Sequence, residues 1–319
     1  MSASVYQLAV VELGTGIIDL LIAALMLVVN LLPEAVAEPF QYRFMQRALL
    51  TSILVGAVCG LLSSYVILKR WSLLGDAISH AVLPGVAIAY LLGLPFFVGA
   101  FATGALTSVG IGIIERNSRI KSDAAMGLMF TAAFALGVVI ISQITTSTHL
   151  MHILFGNVLG VRNEALLLTL FSAVVALVVV VLFYKELMIY VFDPIQARSL
   201  GMNTGFIHYG LILLLTLTIV ASLETVGIIL VVAMLITPGA TAYLLVNRLH
   251  QMIWLSVLIG VVSAVLGLYL AFHFDVASGG TMVLVVSGFF LLAFLFAPRR
   301  GIVMRGFRRF RARAQMPVP

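Results

Sequence analysis

Cysteine is nearly missing from these 319 residues, Cys59 being the sole one. A single thiol closes no intrachain disulfide and builds no cysteine cluster around a metal. Lysine is almost as scarce. Lys69, Lys121 and Lys185 follow Leu68, Ile120 and Tyr184, so the Gly-Lys-Ser/Thr step of a phosphate-binding loop is missing and nucleotide hydrolysis of that kind is excluded. No HExxH helix is present either. Charged residues make up only 9% of the chain against 62% hydrophobic ones. With a mean hydropathy of +1.19, that balance excludes a soluble globule and gives a polytopic membrane protein.

Apolar runs long enough to cross about 30 Å of hydrocarbon fall at about 13–32, 47–68, 73–92, 96–114 and 124–142. In the second half they fall at about 165–184, 206–222, 225–246, 252–272 and 280–297. Ten spans are predicted. The first carries Glu12 and Asp19 and has no basic residue on either flank, which argues against a cleaved signal peptide although PEAVAEP resembles a cleavage site. Met26 stands inside it as an alternative start. The stretch THLMHILFGNVLGV, 148–161, is too short to span and reads as re-entrant or interfacial. Three units result: 1–37 as an N-terminal extension, 38–298 as the transmembrane domain and 299–319 as a basic tail.

The basic residues orient the chain. Placing Lys69 and Arg70 in the cytoplasm puts Arg116, Arg119, Lys121, Lys185, Arg198 and Arg248 there too, and leaves Arg43, Arg47 and Arg162 outside. The bias holds without the arginine-rich tail, which itself reads as a lipid-headgroup anchor rather than a nucleic-acid arm.

Against this background Asp76 and His80 stand out, one helical turn apart in LLGDAISHAVLPGVAIAYLL. Counted from Arg70 at the inner boundary, they lie about 9 Å and about 15 Å into the bilayer. A carboxylate there costs several kcal/mol unless it meets water, a cation or a bundle interior. An interhelical hydrogen bond and a divalent-cation path both remain open. Pro84 and Gly85 follow, and the proline ring conflicts with the carbonyl of His80, so an opened backbone or a plain kink is expected. Glu224 reads as a cation ligand near the outer mouth or as a helix N-terminal acid. Pro238 and Gly239 mark a close-packed or moving joint. In KELMIYVFDPIQARSLGMNTGF, Asp193 is placed to cap a short helix opened by Pro194 and stopped at Gly201, a docking helix between two spans.

Four stretches in order, LKRWSLLGDAISHAVLPGVAIAYLLG, FGNVLGV, FDPIQARSLGM and TVGIILVVAMLITPGATAYLL, resemble the permease subunits of metal-cation ABC importers, the manganese, zinc and iron class. The resemblance runs from about Glu38 to Pro298. It implies an all-α, polytopic helical bundle of the type II ABC importer permease kind with a short cytoplasmic coupling helix, in the bacterial inner membrane. It also implies a homodimer of permeases, a cytoplasmic ATP-binding subunit that performs the hydrolysis, an extracytoplasmic metal-binding protein, and contact with membrane lipids but no nucleic acid. The chain itself is then no enzyme and holds no resident cofactor, the metal being cargo. By position, Asp76 and His80 become coordinating or gating residues, with Glu224 a further ligand. Asp193, Pro194, Ala197 and Gly201 become the coupling helix, and Pro84, Gly85, Pro238 and Gly239 hinge or gate positions moving in alternating access. The form TPGATAYLL is nearer to manganese and iron members than to zinc members, so Mn(II) is the first expectation and Zn(II) or Fe(II) the alternative. A proton-coupled secondary transporter with an Asp76–His80 relay is the reading from another class. A membrane-embedded hydrolase is disfavoured because no nucleophile accompanies His80.

Overall fold

In a computed structural model, which describes residues 2–31, 33–143, 158–297 and 301–303, the chain is built of helices, with no strand among the described residues. In chain order the helices are α1 (Ser2–Val29), α2 (Glu34–Ala37), α3 (Arg43–Lys69), α4 (Leu74–Ala81), α5 (Leu83–Leu92), α6 (Phe96–Asn117) and α7 (Ser122–Ser142). They continue as α8 (Asn163–Leu182), α9 (Tyr184–Phe192), α10 (Pro194–Ser199), α11 (Thr204–Val226), α12 (Ile228–Leu245), α13 (Leu249–Phe274) and α14 (Ser278–Phe296). Nine described segments are long and apolar enough to cross a membrane, with α4 and α5 together counting as one. The tenth expected span corresponds to α1, whose described side chains begin at Gly14. The basic tail from Arg299 and the re-entrant segment lie outside the described residues, apart from 301–303 and 158–161.

Helix α3 is the axis of the bundle. In hydrocarbon, apolar side chains gain little by leaving lipid for protein, so association depends on close backbone approach and hydrogen bonds between helices. Small residues on α3 supply both. A Cβ added to Gly56 would meet the Gly260 carbonyl oxygen at 2.8 Å, and one on Gly60 would meet that of Ser256 at 2.7 Å, which locks α3 against α13. Ser64 and Ser256 share a hydrogen bond of 3.1 Å across the same seam. On the other side Ser63 Oγ accepts from the Gly239 N–H at 2.8 Å and donates to the Ile236 carbonyl at 3.3 Å, stapling α3 to α12.

Proline withdraws a donor from the helix ladder, yet α12 runs from Ile228 to Leu245 with Pro238 inside it, and Ser63 bonds the backbone on either side of the proline, at Ile236 and Gly239. Gly239 packs closely on Ser63, where an added Cβ would meet the Ser63 carbonyl oxygen at 2.6 Å. Ser63→Ala removes both bonds and is expected to lower stability by about 1–2 kcal/mol, read as a lower thermal unfolding temperature in detergent.

Three local outcomes correct the sequence reading. KELMIYV, which lies between the span expected to end at about 184 and the helix expected from Asp193, forms most of the short helix α9. Glu224 was expected as a possible helix N-terminal acid, but the chain does not break until Gly227, at φ 81°, so Glu224 occupies the last turn of α11. The 73–92 span is two helices, and their junction is Val82 rather than His80. Pro84 falls in the first turn of α5, where a missing N–H breaks no helical bond. Thr103 Oγ1 on α6 donates towards the Val82 carbonyl at 3.5 Å and the Gly99 carbonyl at 3.1 Å.

Helix α1 lies against α3 and α8 through Ile18, packed with Leu50, Val161, Ala165 and Leu166. Leu20 and Leu27 are exposed on it, in keeping with a lipid-facing surface.

Candidate functional site

The turn between α3 and α4 places the charged pair. Helix α3 ends on Lys69, a cation where the helix dipole favours one, and Arg70 turns the backbone left-handed at φ 59°. The Trp71 N–H closes back on the Val66 carbonyl at 2.9 Å, a Schellman-type stop, and the Leu74 N–H bonds the Trp71 carbonyl at 3.0 Å to start α4. Asp76 thus falls in the first turn of α4, where the dipole favours an anion, and His80 in its last turn, where it favours a cation.

The buried face of α4 is Leu74, Gly75, Ala77, Ile78, Ser79 and Ala81. Asp76 and His80 lie off that face. Their side chains are 49% and 31% exposed, with Asp76 Oδ1 3.6 Å from His80 Nε2. That separation exceeds a hydrogen bond, so the two groups face one space without consuming each other's lone pairs. Phe130 and Phe134 of α7 wall the imidazole, with ring centroids 5.4 and 5.6 Å away, the latter edge-on. Ser79 is turned the other way, its hydroxyl bonded to the Gly75 carbonyl at 2.8 Å.

Among the described residues no third His, Cys, Asp or Glu joins the pair to make a metal-sized group. Glu224 instead forms an ion pair with Arg162, the residue that precedes α8, and accepts a hydrogen bond from its guanidinium. The Arg162 group is held above its ordinary range, first by that hydrogen bond and then by the attraction of Glu224 and Glu164. With the guanidinium 63% exposed, such a pair adds little stability. It supplies the compensation that a carboxylate in the last turn of a helix lacks. A cavity of about 590 Å³ between α3, α8 and α13 is apolar in its lining, from Leu54 to Val257, and contains neither Asp76 nor His80.

The candidate coupling segment has the capped geometry its sequence predicts. Asp193 Oδ1 accepts from the N–H groups of Ile195 and Gln196, each at 2.9 Å, Pro194 opens α10, and Gly201 turns at φ 80°. Ala197 is fully buried and anchors the helix, while Ile195 is 80% and Leu200 59% exposed. Two large apolar side chains therefore project from the bundle at the end assigned to the cytoplasm. Gly85 is in backbone contact with Gly99 of α6, and Pro84 lies against Gly137 of α7.

Sequence reasoning missed Phe130, Phe134 and the Arg162 partner of Glu224. The phenylalanines are two among twenty, and Arg162 is separated from Glu224 by 62 positions, so neither carries a local signal.

Residues 41–297 match the model of the ABC 3 transport family. The manganese transport system membrane protein MntC of Listeria monocytogenes is 54% identical over 263 residues, 82% of this chain and 94% of that protein. The chelated iron transport system membrane protein YfeD of Yersinia pestis is 48% identical over 267 residues, 84% and 90% of the two chains. Among solved structures, PsaBC from Streptococcus pneumoniae in complex with Fab has a chain 44% identical with a TM-score of 0.76, covering 86% of this chain and 99% of that one. An inward-facing metal-chelate type ABC transporter, 16% identical with a TM-score of 0.63, shares the fold.

Proposed function

We propose that this chain, which belongs to the ABC 3 transport family and is the permease subunit of a metal ABC importer, carries Mn(II) past Asp76 and His80 in an ATP-driven cycle of alternating access. The observation that supports this reading is the Asp76–His80 pair, one hard oxygen and one imidazole nitrogen 3.6 Å apart on one turn of α4, both partly exposed. Two donors each about 2.1 Å from one ion stand about 3.0 Å apart at a right angle and about 3.6 Å apart at about 120°. Side-chain adjustments of tenths of an ångström span that range, so the pair accepts either geometry.

Two donors are too few to replace a hydration shell. A second copy of the permease, set with its own Asp76 and His80 across the path, makes four: two carboxylates and two imidazoles. Carboxylate with imidazole and no thiolate suits Mn(II), Fe(II) and Zn(II) alike, so the preference for manganese rests on the relatives, which include manganese and iron transport proteins. The half-exposed pair also suits transit, because a cargo ion must be released as well as bound. The aromatic wall of Phe130 and Phe134 limits water on one side of the imidazole.

ATP hydrolysis belongs to a separate subunit. Helix α10 is the surface for it: Ala197 and the Asp193 cap hold the helix rigid, while Ile195 and Leu200 enter a groove on the ATP-binding partner. An extracytoplasmic metal-binding protein delivers the ion to the opposite face. The test is metal accumulation by the reconstituted complex with manganese, iron and zinc in competition, with and without ATP. Manganese uptake that requires ATP is the expected result. Uptake that persists without ATP and follows a proton gradient sinks this reading in favour of a secondary transporter.

A further inference from the structure

We propose that Lys69, Trp71, Tyr190 and His208 form a buried joint through which movement of α10 reaches the helix bearing Asp76 and His80. The inference rests on the reading of α10 as the coupling helix and of the pair as the metal path.

Tyr190 lies on α9, three residues before the Asp193 that caps α10. One residue separates the two helices, so a push on Ile195 or Leu200 is carried into α9. Tyr190 is only 4% exposed, and its hydroxyl shares a hydrogen bond of 2.7 Å with His208 Nδ1 on α11. The His208 ring meets the Trp71 ring edge-on, with centroids 5.3 Å apart. Trp71 is 2% exposed and bonded through its backbone to both flanking helices, to Val66 on α3 and to Leu74 on α4. Asp76 is five residues further on.

Lys69 closes the ring of contacts. Its ammonium lies 4.1 Å from the Tyr190 ring centroid and 5.6 Å from that of Trp71, so one cation holds two aromatic faces belonging to different elements. Tyr209 stacks edge-on against His208 at 5.1 Å and carries Arg116 over its own face at 5.7 Å. The route from Tyr190 through His208 to Trp71 therefore runs through planar groups in contact. Close-packed groups of this kind shift as a unit.

His208 Nε2 is buried and has no hydrogen-bond partner among the described residues. The ring is held by the Tyr190 hydroxyl at Nδ1 and by the Trp71 and Tyr209 rings, so a displacement of Tyr190 is passed on to Trp71.

The test uses the whole complex in proteoliposomes, with its ATP-binding subunit and metal-binding protein, and reads manganese moved per ATP hydrolysed. Tyr190→Phe keeps the ring and removes the hydrogen bond; Trp71→Phe keeps an aromatic core and alters the edge contact. Each is expected to leave ATP hydrolysis within about twofold of the unaltered complex while the manganese-to-ATP ratio falls about tenfold. The double variant should be no worse than the poorer single one, because both residues act through one joint. A ratio unchanged in Tyr190→Phe overturns the proposal, including the case in which transport and hydrolysis decline together with the folded fraction. Tyr190→Phe decides the question alone if Trp71→Phe fails to assemble. Failure of the unaltered complex to accumulate manganese with ATP would instead sink the reading of ATP-driven manganese transport on which the joint depends.

Discussion

Asp76→Ala is expected to abolish metal accumulation while the protein inserts, folds and couples to its ATP-binding partner as before. Groups that only hydrogen-bond to a metal ligand are worth about 10–100-fold when removed, so a ligand lost from both copies of the permease should cost at least about 100-fold in uptake. Stability should not follow. An ionised carboxylate at membrane depth opposes folding unless compensated, and the partner Asp76 has within its own chain stands 3.6 Å away, beyond hydrogen-bond distance. Removing it leaves no buried donor stranded, so the folded yield and the thermal unfolding temperature should be unchanged or slightly raised. His80→Ala should give the same loss of uptake with a small fall in stability from its contacts with Phe130 and Phe134. The measurement is radioactive manganese accumulation in cells or vesicles, normalised to membrane-inserted protein. Normal accumulation in both variants would sink the assignment of this pair to the path.

The pair itself was legible because its signal is local. Two ionisable residues one turn apart in an apolar run need no tertiary information to be noticed, and the same holds for the Asp193 cap, the Pro194 opening and the Gly201 stop of α10. What required the structure was everything carried by sequence separation. Glu224 sits at the end of α11 because the chain does not break until Gly227, and its partner Arg162 lies 62 positions away, just before α8. The KELMIYV stretch falls between the span expected to end at about 184 and the helix expected from Asp193, yet Leu187, Tyr190 and Val191 are buried and it forms most of α9. The proline rule predicted an opened or kinked backbone near His80, and the helix does break there, at Val82, because a helix restarted at Leu83 accepts proline in its first turn. Pro238 causes no break, and Ser63, 175 positions earlier, bonds the backbone on either side of it.

Gly85→Val is expected to be the most damaging substitution near the pair, for steric reasons. A Cβ at Gly85 falls onto the backbone carbonyl of Gly99 and the Thr103 hydroxyl, and a Cβ at Gly99 falls in turn onto the Gly85 carbonyl. The obstructing atoms are mainly backbone on both sides, so no flexible side chain yields. On its other flank α5 presses on α7, where a Cβ at Gly137 would meet the Leu83 Cβ at 2.8 Å and Pro84 Cδ at 3.0 Å. With α5 wedged between two helices, overpacking should cost about 3 kcal/mol or more, seen as a large drop in unfolding temperature and loss of uptake. Gly288→Val is the matched control, since a Cβ there meets nothing within 4 Å, and it should change neither. The contrast bears on alternating access. If α5 is clamped at Gly85, it does not bend there, and the flexible point is the Val82 junction between α4 and α5. Movement arriving from Trp71 would then swing α4, with Asp76 and His80, against a fixed α5. Gly85→Val retaining stability and uptake would show instead that α5 is loose enough to move by itself.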